Sequence, residues 1–194
     1  FGTLALTGAN VAVTENAATD LGASTVGGTL GITSAGAVTD SGTLAITGAT
    51  TISASGQDIT LDEAASTFGT LALTGSNVAV TENAAMDLGA STIGGTANFN
   101  STSNVITDSG TLAITGATTI NAGTADITLD QAASTFGALA LTGANVAVTE
   151  NAATDLAAST VSGTLGVTST GAVTDSGTLA ITGATTISAS GQDI

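Results

Sequence analysis

Phe1, Phe68 and Phe136 open three nearly identical blocks, and this repetition limits what the chain can fold into more than any other feature. Residues 1–59 and 136–194 differ at only five positions: Thr3 against Ala138, Gly22 against Ala157, Gly27 against Ser162, Ile32 against Val167 and Ala35 against Thr170. The run GTLAITGATTISASGQDI stands at 42–59 and again at 177–194. A fixed period of 67 to 68 residues is the mark of a solenoid, a propeller or an array. The blocks run 1–67, 68–135 and 136–194, the third incomplete. The chain reads as one continuous solenoid cut from a longer fibre.

Inside a block the pattern is short and β-like. The runs are TLALT (3–7), VAVTE (11–15), DLGAST (20–25), TLGIT (29–33), AVTD (37–40), TLAIT (43–47), TTISA (50–54), DITLD (58–62) and ASTF (65–68). They alternate apolar with small or polar residues and are punctuated by Gly, Asn and Asp-Ser. Every third run begins at 3, 29, 50 and 70, which predicts rungs of 26, 21 and 20 residues. A second face starting at 11, 37 and 58 gives similar spacings. The expected fold is all-β: a right-handed parallel β-helix with three strands per rung and about 8–9 rungs spaced about 4.8 Å apart. Like side chains then stack, and Val13, Val38, Leu61, Val80, Ile106, Leu129, Val148 and Val173 are expected to form one inward column. Block two replaces LGITSAGAVTD (30–40) with ANFNSTSNVITD (97–108), and its extra residue is expected in a turn. Antiparallel sandwiches and propellers are disfavoured by the absence of Asn-Gly and Asp-Gly hairpin signals.

The chain has no Lys, Arg, His, Cys, Pro, Trp or Tyr, and its fifteen carboxylates give a formal charge of −15. With no cation it cannot neutralise phosphates, so nucleic acid is excluded as a partner. Anionic membranes repel it, and no apolar run is long enough for insertion. The hydrophobic content of 42 % argues against disorder.

One acidic series stands out: Glu15, Asp40, Glu63, Glu82, Asp108, Gln131, Glu150 and Asp175 fall at corresponding strand ends, with Asp62 and Asp130 as one-residue alternatives. Carboxylates stacked at rung spacing repel by about 0.9 kcal/mol per pair in water. The functional reading is a metal ladder in which Ca²⁺, with its preference for oxygen ligands, bridges the rungs. The plainer reading is a set of strand-terminating, solubilising groups. The calcium β-roll signature GGxGxD is missing. No His, Lys or Cys is present to activate a nucleophile, so no enzyme is expected. Outward Thr columns (Thr3, Thr29, Thr70; Thr7, Thr33, Thr74) read as ordinary β-propensity or, alternatively, as an ice-binding array.

The runs TSAGAVTDSGTLAITGATTISA and DITLDEAASTFGTLALTG, within 28–75, resemble the repeats of filamentous-haemagglutinin-like large exoproteins. The resemblance implies a right-handed β-helical fibre exported by Gram-negative bacteria to the extracellular space or cell surface, serving adhesion or a biofilm matrix. It implies partners of two kinds: self-association or end-to-end continuation of the fibre, and a host or neighbouring-cell surface. The function expected is a structural shaft, with a cation- or ice-binding solenoid as the alternative. No binding residue of that family maps onto a position here.

Overall fold

The computed structural model describes all 194 residues and contains 27 short strands and no helix. Ten strands, from Thr3–Leu4 to Val173–Asp175, lie along one path in a first long sheet. Ten more, from Val11–Glu15 to Thr185–Ser188, line a second. A short third sheet joins Thr7–Gly8, Ser24–Val26 and Leu44–Ile46, and a bridge from Ala45 to Thr67 extends it by one turn. All pairings are parallel, as in Thr3↔Asp20, Asp20↔Thr39, Thr60↔Ala79 and Asn98↔Thr119. The molecule is therefore a parallel β-solenoid of ten turns, about 43 Å from first turn to last at the usual strand spacing.

The turns are shorter and more uniform than the sequence suggests. Paired residues in the first long sheet are 17 to 21 positions apart, as in Thr3↔Asp20 and Val38↔Ile59, and no turn of 26 residues exists. The reason is local. DLGAST is two strands, Thr19–Leu21 and Ser24–Val26, with a corner at Gly22 between them. That corner closes a face where an unbroken strand would have continued. A Cβ at Gly22 would lie 2.8 Å from Thr3 Cγ2, so glycine fits above that threonine without displacing it. Gly89 and Thr70 repeat the contact at 2.8 Å. In block three both members change together, to Ala138 and Ala157: the lost methyl admits the new one.

Ten turns over 194 residues have a further consequence. The strand at the start of block one is first in the first long sheet, and its counterpart in block three, Ala138–Gly143, is eighth. Two blocks thus span seven turns, and one block spans three and a half. Equivalent strands consequently alternate between opposite sheets. Val11–Glu15 lies in the second, Val78–Thr81 in the first and Val146–Glu150 in the second again. Val38–Asp40, Ile106–Asp108 and Val173–Asp175 alternate the other way.

The expected inward column is corrected accordingly. Val13 stacks on Ile32, Ile52 and Leu73, not on Val38. Leu61 and Val80 do stack, followed by Phe99, Ile120 and Leu141. Leu129 and Val148 also stack, followed by Val167 and Ile187. These columns belong to a single core of 39 buried apolar residues. Stacking of this kind confines each position to a narrow range of volumes, because neither a void nor an extra methylene is well tolerated. Block two obeys the rule by pairing its changes: Leu30 becomes Ala97 while Ile32, two residues on, becomes Phe99. Its extra residue sits in the turn 101–105, where Thr102 and Ser103 adopt left-handed backbone (φ 46° and 73°).

Candidate functional site

The expected acidic ladder is not one array. Side chains alternate faces along a strand, and Glu15 shares its parity with the inward residues Val11 and Val13. The same holds for Asp40 after Val38, and for Glu82 after Val78 and Val80. These carboxylates consequently turn toward the corners of the core, and the chain's own N–H groups occupy them.

Two repeated arrangements result. In the first, a glutamate accepts from the main-chain N–H of the phenylalanine 14 residues earlier: Phe68 to Glu82 Oε2 at 3.1 Å and Phe136 to Glu150 Oε1 at 2.9 Å. Glu15 accepts from the nitrogen of Phe1 in the same way, at 2.5 Å. In the second, an aspartate caps the turn one level on. Asp40 accepts from the N–H groups of Asp62 (2.9 Å) and Glu63 (3.4 Å), and Asp108 from those of Asp130 (2.8 Å) and Gln131 (3.4 Å). Burial raises the pKa of both aspartates.

The residues named from sequence are thus dispersed. Glu15 stacks on Ser34, Glu150 on Ser169, Asp108 on Leu88 and Asp175 on Leu156. Glu63 lies in a turn and is half-buried, and the Gln131 side chain donates to Asp130 at 3.2 Å. No three carboxylates approach closely enough to hold a metal ion together. The correction has a physical cause: the half-turn offset sends equivalent acids to opposite sheets, and main-chain donors occupy several of the oxygens a cation would need.

The outward acids form ladders of their own. Asp20 Oδ2 accepts from Thr3 Oγ1 at 2.6 Å and Ser41 Oγ at 2.9 Å, linking three turns. Asp87 repeats the link with Thr70 and Ser109, both at 2.8 Å, and Asp155 keeps only Ser176, because Ala138 has no hydroxyl. At another corner Asp58 accepts from Asn77, whose side-chain oxygen accepts in turn from Thr96, and Asp126, Asn145 and Thr164 do the same. The only signal for these ladders in the sequence is the recurrence of Asn and Thr 19 positions apart, which becomes visible once the turn length is known.

Three polar atoms are buried without a partner: Thr50 Oγ1, Thr118 Oγ1 and Glu82 Oε1. Glu82 is fully buried, and desolvation pushes its pKa up to about 8. The single cleft in the molecule is an apolar recess in the last turn, lined by Leu156, Val173, Leu179 and Ile187 among others.

A family model described as repeats of unknown function (DUF5649) matches three times, over residues 8–74, 75–142 and 143–194. Its units have the period of the blocks above and begin about seven residues later. No curated protein and no solved structure matches the chain.

Proposed function

The chain belongs to the family of DUF5649 repeats, and we propose that its repeats act as the structural shaft of a secreted or cell-surface bacterial adhesin or extracellular matrix fibre, without catalytic function. The observation that carries this reading is the half-turn offset between blocks. A chain repeated to build a binding face would keep equivalent residues on that face. Here they return to the same sheet only after two blocks, so what repetition preserves is interior packing and the hydrogen bonds between turns. The longest outward hydroxyl column, Thr14, Thr33, Ser53, Thr74 and Thr92, lasts five turns and then meets Ala113. That interruption favours a shaft over an ice-binding array.

The resemblance of residues 28–75 to filamentous-haemagglutinin-like repeats supports an adhesin or fibre on the bacterial surface. The absence of Lys and Arg supports it too, because trypsin-like proteases find no cleavage site. The test is to add or remove blocks and follow particle length by small-angle scattering, alongside calcium titration of the melting temperature and an ice-recrystallisation assay. Length changing by about 17 Å per block, with neither calcium nor ice having an effect, is the expected result. A calcium-dependent rise in melting temperature, or activity on ice, would replace the shaft with a binding array.

A further inference from the structure

Glu82 and Glu150 occupy the same place in their blocks, but one side chain that reaches Glu150 is replaced beside Glu82. Both accept a main-chain N–H from a phenylalanine. Glu150 places its second oxygen, Oε2, 2.9 Å from Thr154 Oγ1, which donates to it. In block two the residue at the position of Thr154 is Met86, itself buried and with no hydroxyl to offer. Glu82 Oε1 is accordingly left without a partner, in a side chain with no exposed surface. A buried, half-satisfied carboxylate is costly, and the group escapes the cost by keeping its proton.

We propose that Glu82 is a buried proton-binding site that makes block two the pH-labile joint of the rod. The turn beneath it carries Asp62 and Glu63, and its own turn carries Asp87. The segment above, 100–104, has no ionisable side chain. Burial raises the affinity of Glu82 for the proton, and the hydrogen bond from Phe68 opposes this only in part. No Lys, Arg or His exists in the chain to stabilise the anion instead.

The sign follows from linkage. An acid that binds its proton more tightly when folded favours the folded state at low pH. That advantage shrinks as pH rises from the unfolded value near 4.5 to the folded value of about 8, and then levels off. Within this window the equilibrium for opening block two rises by up to tenfold per pH unit.

Two readouts on the intact chain test the proposal. Hydrogen–deuterium exchange, corrected for intrinsic rates, is followed in block two and in the corresponding part of block three between pH 5 and 9. Infrared spectroscopy follows the C=O band of a protonated carboxyl group over the same range. The unmodified chain should show exchange in block two that rises with pH and levels off near pH 8, and Glu82→Gln should abolish both the extra slope and its share of the carboxyl band. Met86→Thr, which restores the residue that blocks one and three carry, should fold and move the midpoint to lower pH. If Glu82→Gln leaves the slope and the band unchanged, or if Met86→Thr leaves the midpoint in place, the proposal is overturned.

Discussion

Blocks two and three teach most when set side by side. In the strand Ala97–Asn100, where block two departs in volume, it compensates. Ala97 and Phe99 stand for Leu165 and Val167, a small and a large residue exchanged for two of middling size on the same inward parity of one strand. Where it departs in hydrogen bonding, it does not compensate, since Met86 removes the donor that Thr154 supplies and no other group takes over. Packing between turns therefore appears as a constraint on sums, satisfied by any pair that fills the column. Polar satisfaction is a constraint on individual atoms, and one substitution suffices to break it.

The largest effect that separates the two kinds of change is expected at Phe99, which is fully buried between Val80 and Ile120. Phe99→Ala should cost about 3–5 kcal/mol in chemical denaturation. The double change Ala97→Leu with Phe99→Ile should restore most of the stability that either single change loses. If both singles are neutral, columns are not filled as sums. Next comes the reverse transplant, Thr154→Met. It leaves Glu150 with one donor, raises further a pKa that burial has already raised, and should cost about 1–3 kcal/mol above neutral pH. The loss should fade on acidification, as the folded state then keeps its proton, and denaturation at pH 5 and pH 8 checks the sign.

A smaller effect of opposite sign is expected at Thr118, which sits in an inward column between Ala97 and Leu139 with its hydroxyl unpaired. Thr118→Val removes an unsatisfied oxygen at constant shape and should stabilise by about 1 kcal/mol, as should Thr50→Val in block one. Melting temperatures that fall would mean that these hydroxyls are hydrogen-bonded in the folded chain. The smallest effect belongs to Gly27→Ser, which copies Ser162 into block one. A Cβ there meets nothing within 4 Å, so a change beyond about 0.5 kcal/mol in denaturation would be unexpected.

The comparison also shows what was legible beforehand. The coil, its parallel strands and its three-sided turns follow from repetition and alternation. The turn length did not, because a single glycine splits DLGAST, and its role depends on Thr3 one level below, a contact between residues 19 positions apart. A turn of 26 residues would bring the strands of Val13 and Val38 together, whereas in the molecule equivalent residues of successive blocks lie on opposite sheets. The fate of the carboxylates was within reach. Counting by twos from Val11 through Val13 to Glu15 puts that acid on the core side, and the same count works for Glu82. What no count reveals is that the N–H of a phenylalanine lies waiting there, since the chain reaches that corner a turn earlier.

The half-turn offset also bears on how such a gene would change over time. Stretches as alike as 1–59 and 136–194 invite unequal recombination, which gains or loses whole units. Losing one unit would shorten the rod and swing everything downstream to the opposite side. Losing two would shorten it further yet restore the original heading, so a lineage that depends on which way its distal parts point should vary in pairs.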